Sequence, residues 1–318
     1  VANYLTFADI RAAVARQIKD PTEQWADLIN MVINQVYLTE VIPCDDLDPL
    51  YWLIKPYRVR SKAPVNITNI TAANPPVITT DGNHYLNTGD VISIFDVSGM
   101  VEINLDYAGY ADDFYPDILY RVLATPTDTT LVLADLNGDG VDASAWTAYT
   151  SGGTIYHHGW AWPVSLMQVL QVGLYDQLPL TKISWEQFME TPDRWVDSSP
   201  STPDAYLHHE MRDAVGTEYS MILTFPGASQ DSIAIINATY NVARLSADGD
   251  VPILPYQFHD VIVTGCVTRL LENNVQVENA VIWPGLYQVQ LEGLRTFNRK
   301  WWDEHRESMD QKPYGLLG

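Results

Sequence analysis

Cysteine is almost missing from this chain. Of 318 residues only Cys44 and Cys266 carry thiols, so no dense disulfide framework holds the fold. Two free buried thiols are the plain reading, a single bridge the alternative, and the scarcity fits assembly in a reducing cytoplasm. Positive charge is scarce too: 18 Lys and Arg face 40 Asp and Glu, a net charge of −22. A surface of that sign repels polyanions and lacks the cations a tight nucleic-acid grip requires. It is compatible with nucleic acid sliding past without sticking. Long apolar runs are missing as well. The most apolar stretches, residues 233–236 and 261–267, are far shorter than a membrane span. Asn3, Asp9 and Arg11 leave no room for the apolar core of a secretion signal, so none is expected. No G-x-S-x-G, P-loop or dinucleotide fingerprint occurs. What is present is ample apolar material, 47% of residues, which excludes wholesale disorder and suffices for two or three domains.

Two local grammars alternate along the chain. Thr6 with Asp9 forms a variant capping box, and Ile10, Val14 and Ile18 fall on one helical face. A second helix reads more clearly: Asp20 as N-cap, Pro21 at the first helical position, Glu23 closing the box, then a stripe of Trp25, Leu28, Ile29, Val32 and Val36 stopped by Pro43. The pair predicts an αα-hairpin. Residues 51–60 read as an extended aromatic segment. Then come short β-branched runs cut by Gly, Pro, Asn and Asp, at 65–71, 74–80, 88–94, 99–104 and 149–155, the signature of a small β barrel or sandwich. Residues 168–175, 206–209, 218–225 and 233–245 read as strands of one antiparallel sheet, with a short helix over 184–190. Helical spacing returns at 255–273, breaks at Trp283-Pro284-Gly285, and resumes with Tyr287, Leu291, Leu294, Phe297 (or Asn298) and Trp301 to about residue 306.

These patterns predict an α+β chain: a helical core, an αα-hairpin plus C-terminal helices, with an antiparallel β-sheet domain and an inserted small all-β barrel or sandwich. The expected divisions are 1–62 (N-terminal helices), 63–157 (inserted β domain), 158–254 (antiparallel β part), 255–310 (C-terminal helices) and 311–318 (a C-terminal arm).

Few constellations carry chemistry. Asp135-Leu136-Asn137-Gly138-Asp139-Gly140-Val141-Asp142 has the alternating oxygen donors and glycine of a calcium loop, but its twelfth position is Trp146 where a bidentate Glu belongs. A turn cluster between strands is the better reading. His157-His158 and His208-His209 sit on strands, where neighbours point to opposite faces and cannot easily share one ion, so strand-edge histidines are expected. Asp112-Asp113 offer carboxylates without a defined separation. No catalytic residue, cofactor or metal site is therefore assigned, and the chain is not expected to be an enzyme. Trp301-Trp302 cannot both face one core, so one indole is either spare for docking or flat on its own domain. The tail from Lys312 to Gly318 is either frayed or a partner arm, with Tyr314, Leu316 and Leu317 as its anchors.

Two resemblances add to this. Residues 65–156, through Ile67-Thr68, Pro76-Val77-Ile78-Thr79-Thr80, Leu86-Asn87-Thr88-Gly89-Asp90, Gly99-Met100-Val101-Glu102-Ile103-Asn104 and Trp146-Thr147-Ala148-Tyr149-Thr150-Ser151-Gly152-Gly153, resemble the small β domain related to the first catalytic-cysteine half-domain of ubiquitin-activating enzymes. That insert contains no cysteine, so the resemblance implies a spacer or decoration and no enzymology. The flanks resemble the head-to-tail adaptor (neck, or tail tubular protein A) family of tailed bacteriophages. The carriers are Leu5-Thr6 to Ile10, Trp25-Ala26-Asp27-Leu28-Ile29-Asn30, Leu223-Thr224-Phe225-Pro226, Ala238-Thr239-Tyr240, and Asp248-Gly249-Asp250 before Pro252-Ile253-Leu254-Pro255-Tyr256-Gln257-Phe258-His259. This resemblance implies a structural virion protein assembled in the host cytoplasm. It would form a ring, typically of twelve copies, between the portal protein and the next tail or neck protein. The ring would continue the channel through which double-stranded DNA passes without tight binding, with no membrane partner. A carbohydrate-binding or carbohydrate-cleaving tail protein is the alternative, resting on the aromatics (10 Trp, 18 Tyr) and acids.

Overall fold

A computed structural model of the chain describes residues 4–19, 25–43, 49–104, 119–162, 166–175, 179–190, 201–212, 218–273 and 280–311. Among these are five α-helices: α1 (Phe7–Gln17), α2 (Ala26–Val36), α3 (Trp185–Glu190), α4 (His259–Glu272) and α5 (Trp283–Gln311). Twelve strands accompany them: β1 (Ile54–Ser61), β2 (Val65–Ile70), β3 (Val77–Thr80), β4 (Asp90–Ser98), β5 (Tyr120–Thr127), β6 (Thr130–Ala134), β7 (Ser151–Trp162), β8 (Leu166–Leu174), β9 (Thr181–Ile183), β10 (Ala205–Arg212), β11 (Glu218–Phe225) and β12 (Ser232–Tyr240). The expected α+β architecture on a helical core is overturned. The described chain is mostly β, a nine-stranded and a three-stranded sheet with few helices. Helix caps and stripes are local signals and stand out in a sequence, whereas the pairing that joins distant strands leaves no local mark. Among the described residues no helix is long and apolar enough to cross a membrane.

Contacts divide the chain into two compact units, one of Val1–Lys55 with Thr239–Ser308, the other centred on Pro56–Ala238. In the first, Thr6 caps α1 as expected: its Oγ1 accepts from the Asp9 amide at 3.2 Å, and Asp9 Oδ2 accepts from the Thr6 amide at 2.9 Å. Phe7, Ile10 and Val14 are buried, and α2 adds Ile29, Val32, Ile33 and Val36 before passing into a π turn over Tyr37–Val41. Asp20, Pro21 and Glu23 lie outside the described residues, and Trp25 is exposed rather than part of the stripe. Helix α4 runs through this core and is buried on nearly every side. A Cβ on its Gly265 would meet Val36 Cγ1 at 2.6 Å and the Tyr287 ring at 2.7 Å, so α2, α4 and α5 cross at the distance only a bare backbone permits. The sequence break expected at Trp283-Pro284-Gly285 is instead the first turn of α5, where the missing N–H of Pro284 has no helical partner to lose.

In the second unit the sheet order β2-β3-β6-β5-β4-β7 closes on itself, because β7 also pairs with β2 (Val65↔Ile155, Asn66↔Thr154). Period-2 alternation fills this six-stranded barrel: Ile92 and Ile94 of β4 face its interior, with Ile67, Ile78, Leu131 and Leu133, while Val91 and Phe95 face a separate cluster outside. Strand β7 runs through residue 157, where a division is expected, and its last residues pair with β11 (Leu223↔Gly159 to Ser220↔Trp162). β11 then carries β10, and β9 lies parallel to β10. The four strands expected to form one sheet are thus split: β10 and β11 extend the barrel sheet, whereas β8 and β12 join β1 in the three-stranded sheet. Residues 99–104 contain a 3-10 turn rather than a strand.

Gly159 sits where β7 leaves the barrel for β11. A Cβ there would press into the Ile222 carbonyl, backbone that has no rotamer to escape into. Gly159→Ala is expected to lower the unfolding free energy by roughly 2–3 kcal/mol, read from the urea midpoint; a variant as stable as the parent would contradict this account of the junction.

Candidate functional site

The densest group of polar side chains lies at that same junction. Register shifts between Val91↔Gly159 and Ile92↔His157, which leaves His158 unopposed in a β-bulge. The bulge aims the His158 ring at Ser93, whose Oγ lies 2.8 Å from Nε2. Thr224 Oγ1 donates to the His158 carbonyl at 3.0 Å, and Phe225 packs on the ring at 5.7 Å. On the neighbouring position His157 packs edge-on against Trp160, and its Nε2 lies 3.8 Å from Asp90 Oδ2. That separation is too long for a hydrogen bond, and Asp90 Oδ2 instead accepts from the Asn87 amide at 2.8 Å. Ser93, His157 and His158 together have the residue types of a nucleophile, a base and a reserve base. Their surroundings remove the chemistry. All three are at most 1% exposed, and His158 Nδ1 has no hydrogen-bond partner, so no carboxylate orients the imidazole as general-base work requires. Burial drives the His158 pKa from 6.5 down to about 3, and the adjacent His157 adds to the shift. The Ser93–His158 contact is a buried structural tie made by a neutral imidazole.

His157 and His158 are buried within the sheet rather than at the strand edge that the sequence suggested. His208 and His209 fit that expectation better: β9 pairs with β10 at Ala205, Tyr206 and Leu207, which leaves the two histidines without a strand on that side among the described residues. His208 is pushed down to about 4 by burial, with Lys182 and His209 adding to it, while His209 stacks on Trp185 at 4.5 Å. The acidic loop after β6 is a turn: Asp135 Oδ1 accepts from the Asp139 amide at 2.9 Å, the Gly138 amide donates to the Asp135 carbonyl at 3.0 Å, and Gly138 takes φ +90°. Among the described residues no three His, Cys, Asp or Glu side chains converge as a metal site requires. Asp112 and Asp113 lie outside the described residues. Cys266 is a free, fully buried thiol whose pKa burial pushes up, which leaves it unreactive, and Cys44 lies outside the described residues.

The candidate docking residues divide sharply. Trp302 is buried and its indole N–H donates to the Pro49 carbonyl at 2.8 Å. Trp301 is the half-buried centre of a stack, 4.5 Å and 8° from the Tyr51 ring and 4.4 Å and 9° from His305. Neither indole is spare: the first is a core anchor, and the second is sandwiched within its own unit. Tyr314, Leu316 and Leu317 lie outside the described residues.

A contact that sequence reasoning missed joins the two chain segments of the helical unit. The Leu5 amide donates to His259 Nδ1 at 3.0 Å, and His259 Nε2 lies 2.9 Å from the Leu254 carbonyl. The Phe7 and Ala8 amides, orphan donors at the start of α1, reach the Asp250 and Asp248 carbonyls at 2.7 and 3.2 Å. Arg11 pairs with the Asp248 carboxylate, and Asp250 Oδ2 caps Ser246 and Ala247, which lowers its pKa. The only sequence signal was the acidic turn itself. A shallow pocket of about 380 Å³, lined by Arg11, Ala12, Ala15, Ile29 and Asp248, opens beside this clasp. Compared with known proteins, the chain matches no family model and no curated relative.

Burial of His158 and His208 makes stability depend on pH in the acid range. His158 stays neutral in the fold down to about 3, while the unfolded chain takes a proton near 6.5. Between those values the unfolded state binds more protons, so stability falls as pH drops through 6.5 and the loss grows until about 3. His208 acts in the same direction. Urea midpoints measured from pH 7.5 to 4.5 should decline, and His158→Gln should flatten that decline even though it weakens the fold at neutral pH. An unchanged slope in this variant would show that other groups govern acid unfolding.

Proposed function

We propose that the chain is a structural virion subunit, a head-to-tail adaptor built mainly of β-structure. It forms a ring beneath the portal protein and hands the DNA channel on to the next tail or neck protein. The observation that carries the reading is the clasp. Two of the segments that carry the adaptor resemblance, 5–10 and 248–259, are hydrogen-bonded to each other as one structural element. They are scattered in sequence and meet in space, as the parts of one motif must. The acidic surface adds support, since a charge of −22 per subunit lets DNA pass without being held. The closed Ser93–His158 tie offers no reacting group to a substrate. The carbohydrate alternative gains nothing from Trp146 and Tyr149: both are half-buried against the barrel core, and the Tyr149 hydroxyl donates to Gly152 and Ile67 carbonyls at 2.9 and 3.1 Å.

Native mass and negative-stain imaging of the purified chain, alone and mixed with the cognate portal ring, test this function. Rings, or a cap that appears only on the portal, are expected. A monomer that ignores the portal at micromolar concentration overturns the adaptor reading. With the cap in hand, removing residues 310–318 should abolish portal attachment, and undiminished attachment would discard the tail as the docking arm.

A further inference from the structure

Charge in this acidic chain is segregated along the sequence. Between Pro49 and Thr80 there is no Asp or Glu, yet Lys55, Arg58, Arg60 and Lys62 all fall there. From Ala63 to Thr181 the pattern inverts: Arg121 is the lone cation among many acids. The fold converts this into two surfaces of the second unit. β1 is an edge strand of the three-stranded sheet. Its Tyr57 and Val59 pack on the core and Ser61 is buried, so the alternate positions point the other way. Arg58 and Arg60 are exposed and Lys62 is half-buried. Arg58 and Arg60 stand on one strand face and Lys62 follows directly after the strand ends at Ser61; at every second residue the three cations span about 13 Å of extended chain. Among the described residues none of the three is in an ion pair. The carboxylate of Asp231, next to Lys62 through the Ala63 amide, already accepts that amide at 2.8 Å. The barrel presents the opposite sign: Asp81, Asp96, Glu102, Asp128, Asp139 and Asp142 are all exposed.

We infer that the Arg58–Arg60–Lys62 face of β1 docks on the acidic barrel of a second copy of this chain. The contact joins two different surfaces, so it is heterologous and propagates head to tail, the geometry that a closed ring needs. It deepens the ring reading above and is tested apart from it. Local charge complementarity names this occupant: the barrel of a second copy brings exposed carboxylates to cations that have no ion-pair partner among the described residues. Lys, Arg and the Pro56 of β1 also discourage strand-to-strand pairing at this edge, which leaves the outward face rather than the backbone as the contact.

The test is sedimentation equilibrium of the full chain at low and high salt, with Arg58→Glu/Arg60→Glu/Lys62→Glu and the milder triple Gln variant beside it. Association at low salt should weaken with added salt. The Glu triple should weaken it roughly ten- to a hundredfold and the Gln triple less, both with circular dichroism and melting like the parent. Carbodiimide cross-linking of mixed light and nitrogen-15-labelled chains should join Lys62 of one copy to a carboxylate within residues 81–142 of another. Three results overturn the inference: a parent that is monomeric at every salt concentration, association indifferent to both triple variants, or inter-copy links from Lys62 only to residues outside the barrel. Binding of a double-stranded DNA fragment by the parent, lost in the Glu triple without change in self-association, assigns the face to nucleic acid and also overturns it. A chain that does not self-associate but still caps the portal sinks this contact and leaves the adaptor function standing.

Discussion

Strand β7 is the constraint on which the second unit depends. One twelve-residue segment pairs with β4 along one side and with β2 and then β11 along the other. A straight strand cannot close a tight barrel and also lead a flatter sheet away from it. The bulge at His158 supplies the extra residue and the added twist, and Gly159 lets β11 come up against bare backbone. The cost appears in the polar atoms: among the described residues, both nitrogens of His157 and Nδ1 of His158 are buried without a hydrogen-bond partner. The fully buried His158 imidazole is held uncharged, because an isolated buried charge costs far more than a neutral polar group. Ser93, Thr224 and the surrounding rings hold that neutral state in place.

The helical unit is held differently. Its core is ordinary apolar packing around α4, but its register is set by polar ties between segments far apart in sequence. Asn34 exchanges two hydrogen bonds with Leu245, at 2.9 and 2.8 Å. Arg269 clamps Glu40 with two bonds of 2.8 Å while the Tyr287 hydroxyl donates to the same carboxylate at 3.0 Å. Arg269 is about a third exposed, so solvent screens this pair and its contribution to stability is modest. What the fork geometry provides is orientation: only one alignment of the Tyr37–Val41 turn against α4 satisfies both oxygens.

Legibility in the sequence followed range. The Thr6–Asp9 box, the α4 stripe and the strands β2, β10, β11 and β12 were readable because each is decided within a few residues. Of the other barrel strands, β3, β4 and the first half of β7 were readable for the same reason, whereas β5 and β6 were not read and the run at 99–104 is a 3-10 turn. Failure came where a local rule meets a distant partner. Gly152-Gly153 and His157-His158 look like the end of a domain, yet the strand continues because β11 waits beyond them. Trp283-Pro284-Gly285 contains two helix breakers, yet the first turn is where both are harmless. The candidate site suffered most. Adjacent tryptophans suggested a spare indole, but Tyr51, 250 residues earlier in the chain than Trp301, supplies the partner that occupies it. The clasp at Leu5 and His259 had no local signature beyond an acidic turn, because its donors are backbone amides that every sequence possesses.

That clasp also dictates an order of birth. Leu5 and His259 are 254 residues apart, and nearly every strand of the β unit lies between them. On a ribosome that makes the chain from its N-terminus, α1 and α2 emerge first but cannot complete their core until α4 has been synthesised. Meanwhile Pro56–Ala238 has all its strands available and can fold as a continuous stretch. Until residues 259–272 are made, this protein therefore carries a pair of helices whose core residues Ile10, Val14, Val32 and Ile33 lack the helix they pack around.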